Sequence, residues 1–142
     1  MMFTTQVSRR LHEEHDATLA LWGRVQRDPL GIAREALAAL KGEIGKHFEF
    51  EEKLLFPLLA ACGQGDLCDM LTDEHEVIRG AAARAEALLA AARQDAARSV
   101  MLGLAEEIIA HASKEEVSLL PALDDALNEE TDEQLTLEYA GV

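Results

Sequence analysis

The chain of 142 residues is long enough to bury the core of one domain and too short for two domains of ordinary size. Aromatic residues make up only 4% of a composition rich in alanine, leucine, glutamate and arginine, which favours helices over strands. The formal net charge of −14 argues against nucleic acid as a partner, because its phosphates would be repelled.

The first residues, Met1 to Gln6, lack the basic segment and the apolar stretch of a signal peptide. No run of the sequence approaches the roughly 20 apolar residues that a membrane span needs. We therefore expect a cytoplasmic protein without a membrane partner. The spacing of Cys62 and Cys68 matches no common zinc or redox motif, so both are expected to be free thiols in that reducing compartment.

Apolar residues at helical spacing predict four long helices with turn-forming residues between them. Their approximate ranges are 5–27, 33–58, 66–93 and 95–123. Gly63 and Gly65 separate the second helix from the third. Pro57 and Pro121 fall late inside the second and fourth helices, and each is expected to kink or end its helix.

Four long helices joined by short turns favour an all-α fold, an antiparallel up-down-up-down four-helix bundle with the candidate site in its core. We assign residues 1–128 to this bundle. Residues 129–142 form an acidic C-terminal tail, for which one short helix or a frayed end is expected. The sequence identifies no protein partner and is compatible with a monomer or a homodimer.

Four of the five histidines belong to two copies of one pattern. In each copy a Glu-His pair is followed by His-x-x-x-Glu-Glu and then by an apolar run that contains a proline. Histidine and glutamate at i and i+4 share one helix face about 6 Å apart, which suits a common metal centre. The candidate metal ligands are His15, His47, Glu51, His75, His111 and Glu115.

The helix lengths place these histidines at similar heights in an up-down bundle. At a rise of about 1.5 Å per residue, His15 lies about 18 Å and His47 about 24 Å from the turn that joins their helices. The corresponding distances are about 26 Å for His75 and about 23 Å for His111. The four histidines should therefore form one band across the bundle.

Four histidines and two glutamates that converge in an apolar interior predict a metal site. A lone histidine on an apolar stripe is usually an ordinary core residue, but buried ionisable groups cost several kcal/mol each unless they are paired or bound to a cation. The ligands come as two equivalent halves, and a carboxylate can bridge two cations, so two ions are favoured over one. Nitrogen and oxygen donors fit iron best, with manganese or zinc as alternatives.

The paired Glu-His and His-x-x-x-Glu-Glu…Pro blocks resemble the hemerythrin-like, HHE cation-binding domain family over roughly Leu11 to Leu123. This resemblance implies an antiparallel four-helix bundle around a non-haem centre of two iron ions, joined by an oxo or hydroxo bridge. It also implies a role for each candidate ligand: His15 and His47 bind one iron, His75 and His111 bind the other, and Glu51 and Glu115 bridge the two.

The chain departs from the dioxygen-carrying hemerythrins in two places. Those carriers have an added histidine one turn away on the third helix, where this chain has Leu71 and Arg79 beside His75. They also have His-x-x-x-x-Asp on the fourth helix, where this chain has His-x-x-x-Glu. The resemblance therefore implies a more open site, which suits redox chemistry with peroxide, dioxygen or nitric oxide.

The sequence leaves three functions open, and whether the chain is an enzyme depends on which of them holds. The first is turnover of peroxide or a diatomic ligand, as in a peroxidase, a catalase or an oxidase. The second is a module that senses, stores or carries dioxygen or iron without turnover. The third is a bundle whose metal only stabilises the fold.

Several residues near the six candidates bear on the site. His12 lies one turn before the first candidate histidine and could add a fifth imidazole, although an exposed position is commoner for such a residue. Glu43 and Glu107 each precede a candidate histidine by one turn and could orient it or supply a ligand. Trp22 and Phe48 could form walls of the site, although ordinary core packing is favoured for both. The glutamates that flank the candidates are expected to point away, since consecutive residues diverge by about 100° on a helix; they are Glu14, Glu52, Glu74 and Glu116.

Overall fold

The computed structural model describes residues 2–141, and within that range the chain is helical and has no strand. Its elements, two of them π-helical, are α1 Gln6–Arg27, α2 Ala33–Lys41, α3 Glu43–Phe50, π1 Glu51–Leu55, α4 Phe56–Leu59, π2 Ala60–Gln64, α5 Gly65–Ala90, α6 Gln94–Val117, α7 Leu119–Ala126 and α8 Glu129–Ala140. The all-α prediction is confirmed. Met1 and Val142, at the ends of the predicted ranges 1–128 and 129–142, lie outside the described residues.

Helix α1 corresponds to the first predicted helix and has a clear start and end. The Thr5 side chain caps it by accepting a hydrogen bond from the Ser8 amide at 3.1 Å. At the other end the Asp28 carboxylate accepts a hydrogen bond from the Gly31 amide at 3.2 Å, which closes the turn that leads to α2.

The second predicted helix is an interrupted helical run rather than one regular helix. Helices α2 and α3 meet at Gly42, whose backbone (φ −91°, ψ −107°) is not helical. Helix α3 then passes into π1 at Glu51, and the Phe56 amide bonds to the Glu51 carbonyl five residues back. Pro57 lies in the first turn of α4, where a missing amide is least costly. The π-helical turn is therefore the irregularity that accompanies this proline.

The fourth predicted helix is divided at the corresponding place in a different way. Helix α6 ends at Val117, and Ser118 (φ −125°, ψ −57°) separates it from α7. Pro121 then lies in the first turn of α7, so the expected interruption at this proline occurs about one turn before it. The same sequence motif thus produces a π-helix in one repeat and a helix end in the other.

The chain folds back on itself between α4 and α5. Gly63 has φ +92°, in the left-handed region that favours glycine, and breaks the helical run there. Beyond it, the buried Cys68 thiol donates to the Phe56 carbonyl at 3.6 Å. Cys62 is exposed, and both cysteines are free thiols.

The acidic tail contains α8, which packs against the start of α1. The Asn128 side chain caps α8 by accepting from the Thr131 amide at 2.8 Å. The buried Asp132 carboxylate accepts hydrogen bonds from the amides of Gln6 and Val7, at 2.8 and 3.0 Å. It therefore satisfies two amides of the first turn of α1, which no helical carbonyl can reach.

The core consists of two apolar clusters with a polar layer between them. One cluster includes Leu11, Leu55, Leu71 and Leu119 from successive parts of the chain. The other cluster includes Trp22, Phe48, Ile78 and Ile108. The candidate histidines lie one each on α1, on the segment from α2 to α4, on α5 and on the segment formed by α6 and α7. Along each of these segments the histidine lies between a residue of one cluster and a residue of the other. Both clusters thus shield the polar layer from solvent along the direction of the helices.

By length and composition alone, one helical run could cross a membrane, although the sequence predicted none. The run is Ala33–Ala90, and its most apolar 18-residue stretch has a mean hydropathy of 1.3. Core helices also pass such a test. This run is interrupted at Gly63 and carries the buried polar residues His47, Glu51 and His75, which lipid would not accommodate cheaply. We therefore interpret the run as core helices of the domain.

Candidate metal centre

The six candidate ligands lie together in the polar layer and form two overlapping groups. Every one of the six is buried. The potential ligand atoms within each group lie within 4.8 Å of one another. One group is His15, His47, Glu51 and Glu115, and the other is Glu51, His75, His111 and Glu115. We call the histidine pair of the first group half-site 1 and that of the second group half-site 2; the two glutamates belong to both.

Glu115 faces both half-sites with different oxygens. Its Oε1 lies 2.8 Å from His15 Nε2 and 3.4 Å from His47 Nε2. Its Oε2 lies 3.0 Å from His111 Nε2 and 3.9 Å from His75 Nε2. One carboxylate therefore has an oxygen available to a cation in each half-site.

Glu51 repeats this arrangement from the opposite helical run. Its Oε2 lies 3.1 Å from His47 Nε2, and its Oε1 lies 3.1 Å from His75 Nε2. Glu51 is the first residue of π1, so the π-helical turn begins where the carboxylate enters the cluster. Such turns are frequent at functional sites.

The polar atoms of the cluster fit a bound cation better than they fit one another. Within the described residues, Glu51 Oε1 and Glu115 Oε2 are buried and have no well-formed hydrogen bond. The Nε2 atoms of His75 and His111 lie 3.1 Å apart, and two neutral imidazoles can satisfy that contact only if one donates and the other accepts. A cation among these atoms would satisfy the carboxylate oxygens and the imidazole lone pairs together.

The histidines and glutamates of the cluster stabilise one another's charges. Burial opposes the charged form of His47, but Glu51 and Glu115 outweigh it and raise the pKa of His47 well above its ordinary value. Burial acts in the same way on His111, yet Glu115 raises the pKa of His111 to about 9. Burial would raise the pKa of Glu115, but the imidazoles of His111 and His15 beside it hold that pKa well below its usual range. The protons on these imidazoles are the charges that a bound metal ion would replace.

An outer ring of four glutamates contacts the Nδ1 atoms of the four histidines. The expectation that these flanking glutamates point away from the site is wrong. The pairs are Glu14 with His47 at 2.9 Å, Glu52 with His75 at 2.6 Å, Glu74 with His111 at 2.7 Å and Glu116 with His15 at 2.6 Å. In each pair the Nδ1–H group donates to a carboxylate oxygen, which leaves Nε2 as the nitrogen that faces the cluster.

The glutamate next to a histidine points about 100° away from it around the helix axis. In a bundle of helices a side chain in that direction meets the neighbouring helix and does not enter solvent. Glu14 adjoins His15 in sequence, but it contacts His47 on the next helical run. Each glutamate of the outer ring follows this rule, and the contacts run from α1 to α3, from π1 to α5, from α5 to α6 and from α6 back to α1.

Each glutamate of the outer ring has a further partner, and these partners do not repeat between the two halves of the chain. They are the Tyr139 hydroxyl for Glu14 at 2.6 Å, the Arg79 guanidinium for Glu52 at 2.8 and 3.2 Å, the Lys114 ammonium for Glu74 and the His12 imidazole for Glu116. Arg10 adds a looser ion pair to Glu14 at 3.7 Å. The surroundings of the two half-sites therefore differ even though their donor atoms match.

The remaining candidates lie outside both groups. His12 is partly exposed and reaches the site through Glu116. Glu43 and Glu107 are exposed on the surface, one turn before their histidines. Sequence reasoning missed the outer ring, although a signal for it was present: Glu-His and His-x-x-x-Glu-Glu place a second glutamate beside a ligand in both repeats.

Phe48 forms one wall of the site, in addition to its place in the core. Its ring stacks on the His75 ring, with centroids 3.8 Å apart and planes 13° apart. A small cavity, with room for the centre of about one water-sized molecule (≈ 10 Å³), lies beside Glu115 and is bounded by Thr18, Ile44 and Phe48 among others. Trp22 lies in the apolar cluster beyond and takes no part in the site.

A surface cleft of about 340 Å³ approaches the site from the side of half-site 1. Its lining includes Glu14 and Tyr139, and it shares Thr18, Ile44 and His47 with the small cavity. These shared residues separate the cleft from the small cavity.

The sequence matches one family over residues 6–123, the family described as "Hemerythrin HHE cation binding domain". The matched range covers α1 to α6 and the first turn of α7, and therefore includes all six candidate ligands and the outer ring. Helix α8 lies beyond it. No curated protein and no solved structure matches the chain significantly.

Proposed function

The chain belongs to the hemerythrin HHE cation-binding domain family, and from that premise we propose that it is a non-haem di-iron protein that reacts with peroxide, dioxygen or nitric oxide. The observation that carries the proposal is the sharing of Glu51 and Glu115 between two buried histidine pairs. A site for one ion would not need two carboxylates that each face two half-sites.

We infer that the helices form an antiparallel four-helix bundle. Hydrogen bonds between α1 and the segment formed by α6 and α7 support this arrangement. The Thr5 hydroxyl bonds to Asp124 at 2.7 Å, and the Ser8 hydroxyl donates to the Leu120 carbonyl at 3.2 Å. Further along α1, His15 meets Glu116 at 2.6 Å. Increasing residue numbers in α1 thus meet decreasing numbers in the partner, as expected for antiparallel helices.

Two imidazoles would hold each of the proposed ions, and both carboxylates are placed to serve both ions. His15 and His47 would hold one ion, and His75 and His111 would hold the other. Four protein donors for each ion are fewer than iron commonly accepts, so positions for a small ligand remain. Nitrogen and oxygen donors favour iron, with manganese or zinc as alternatives, and zinc does not change its oxidation state.

When bound, a pair of iron ions supplies the electron transfer that reactions of peroxide, dioxygen or nitric oxide require. The residues of this chain contribute the rest. Phe48 and Ile44, which line the small cavity beside Glu115, keep bulk water away from the cluster. We propose that the small reactant enters from the cleft past Thr18.

Redox chemistry is favoured over reversible dioxygen carriage because half-site 2 gains no further nitrogen ligand. Leu71, one turn before His75, is buried in an apolar cluster. Arg79, one turn after His75, is bonded to Glu52 and Glu76. Neither side chain can take the place of the added histidine ligand of the dioxygen carriers. The proposed centre therefore has fewer protein ligands than theirs and is more open to a small molecule.

The test is peroxide turnover and dioxygen binding by the iron-loaded chain, compared among four variants. Glu51→Gln and Glu115→Gln remove the shared carboxylates and should abolish turnover. Glu107→Gln makes the same change on the exposed surface, one turn before His111, and should leave turnover intact. Glu43→Gln does so one turn before His47, where the side chain lines the cleft, and should at most alter access to the site. A stable and reversible dioxygen spectrum would favour a carrier or sensor, and an inert protein that unfolds when its metal is removed would favour a structural role.

A further inference from the structure

We propose that Tyr139, in the C-terminal helix α8, is a positioning residue of the metal centre and acts on His47 through Glu14. The inference rests on the proposed function, because it assigns a role toward an ion held by His47. It concerns a part of the chain that lies outside the matched residues 6–123 and for which the sequence suggested no role.

The contacts from α8 to the cluster are continuous. The Tyr139 hydroxyl donates to Glu14 Oε1 at 2.6 Å. The same oxygen accepts from His47 Nδ1 at 2.9 Å. His47 Nε2 in turn faces Glu51 and Glu115 in the polar layer. One carboxylate oxygen therefore accepts hydrogen bonds from both a phenol and a proposed ligand. Removal of the phenol must then alter the hydrogen bond that the imidazole donates to that oxygen.

The phenol is held in a fixed position by its surroundings. The Tyr139 ring is buried and stacks on Phe50, with centroids 4.1 Å apart and planes 3° apart. The Arg10 guanidinium lies 4.3 Å from the centroid of the same ring. Asp132 fixes the start of α8 on the amides of α1. A buried tyrosine needs a partner for its hydroxyl, and here that partner is a glutamate of the outer ring.

The contact belongs to half-site 1 only. Glu74 is the counterpart of Glu14 in the second repeat, and its further partner is the Lys114 ammonium from α6. Arg10 gives Glu14 a looser ion pair at 3.7 Å, but only Glu14 is also bonded to a neutral phenol, and a phenol and an ammonium group affect a carboxylate differently. Helix α8 thus gives half-site 1 a hydrogen-bond donor that the repeated part of the sequence does not contain.

The direction of the effect follows from the shared oxygen. Without the phenol, Glu14 would attract the Nδ1 proton of His47 more strongly, and the imidazole would become the better electron donor. A richer donor stabilises the oxidised form of an iron ion and lowers its reduction potential. Replacing Glu14 by glutamine should have the opposite effect, because the amide is a weaker acceptor than the carboxylate.

Redox titration of the iron-loaded full chain tests this, with zinc affinity as a second measurement that needs no redox activity. We expect Tyr139→Phe, which keeps the ring, to lower the potential at unchanged zinc stoichiometry. We expect Glu14→Gln to raise the potential and to weaken zinc binding about 10- to 100-fold. The double variant should match Glu14→Gln, whereas Tyr139→Phe and Glu74→Gln should combine additively. Leu137→Ala, on the exposed side of α8, serves as a silent control.

Three outcomes would overturn the inference. A wild-type potential in Tyr139→Phe, combined with a shifted potential in Tyr139→Leu, would mean that the ring only packs α8 in place. Equal shifts by Tyr139→Phe in the presence and absence of the Glu14 carboxylate would mean that it acts by another route. Of these three outcomes, only a wild-type chain that binds neither iron nor zinc would also overturn the proposed function.

Discussion

Half-site 1, with His15 and His47, and half-site 2, with His75 and His111, offer the same donor atoms to a metal ion but lie in different surroundings. Each has two buried imidazoles that face the same two carboxylates through Nε2. The glutamates behind half-site 2 are bonded to the cations Arg79 and Lys114. Those that contact half-site 1 are bonded to a phenol and a partly exposed imidazole, with only a looser ion pair from Arg10 to Glu14.

This difference shows which part of the sequence determines which property. The repeated motif places the donors and the outer ring, so those features recur in both halves. The further partners come from positions that do not repeat: Thr72 occupies the position equivalent to His12, and Tyr139 comes from a helix outside the matched range. We therefore expect the two half-sites to bind the same metal with different affinities and different reduction potentials.

The largest expected effect comes from removing what the half-sites share. Glu51→Gln or Glu115→Gln should reduce binding from two ions per chain to fewer than one, because each carboxylate faces both histidine pairs. Metal analysis after gel filtration would measure it, with Glu43→Gln and Glu107→Gln as exposed controls. Loss of a single ion, with the other retained at full affinity, would mean that the carboxylates do not bridge.

The next effect separates the half-sites. Glu74→Gln removes the acceptor behind His111, and Glu116→Gln removes the acceptor behind His15. Each should weaken one of the two ions about 10- to 100-fold and leave the other close to wild type. Zinc titration by calorimetry would resolve the two affinities. Wild-type affinities in both variants would mean that the outer ring does not orient the imidazoles.

The third prediction concerns pH. His111 has a pKa of about 9 in the folded chain, above its ordinary value of 6.5. A raised pKa contributes stability to the metal-free protein that is fully present below about pH 6.5 and is lost as the pH rises through about 9. Metal binding must displace the same proton, so it should strengthen over that range.

Thermal unfolding of the metal-free chain and zinc titration, each followed between pH 6 and pH 9.5, would check both signs. The Tm should fall while the affinity rises. A metal-free Tm that rises across this range would contradict the ion pairs of the cluster, and Glu115→Gln should remove most of the dependence, because Glu115 is the main carboxylate partner of His111.

The smallest effect is expected at His12, which distinguishes half-site 1 from half-site 2 but lies outside both groups. Its side chain is 39% exposed. His12→Ala should keep two ions per chain and cost about 1 kcal/mol of stability or less, as for other exposed ion pairs. If this variant instead loses one ion, His12 is a ligand and half-site 1 has three imidazoles.

Much of the site follows from the sequence because helical spacing places the residues. His47 with Glu51 and His111 with Glu115 are each one turn apart, which puts each pair on one face of a helix. The heights estimated from helix lengths bring the histidines into one band, and the structure places them in one buried layer. The all-α fold follows from composition and spacing in the same way.

The rest depends on contacts between helices that periodicity does not contain. The orientation of Glu14 towards His47 depends on which helix lies beside α1, and Tyr139 depends on how the tail packs. The kink at Gly42 and the π-helical turn at Glu51 are local departures that a regular helical pattern cannot predict. Both departures lie in the helical segment that carries His47 and Glu51, so they affect how these two side chains are placed in the cluster.

The most direct test of the shared centre is the number of iron ions that the wild-type chain binds. After anaerobic loading with ferrous iron and removal of the excess, elemental analysis should give two irons per chain. Oxidation should then produce the near-ultraviolet absorption of an oxygen-bridged iron pair. One iron or fewer per chain, without that absorption, would contradict a centre in which Glu51 and Glu115 serve two ions.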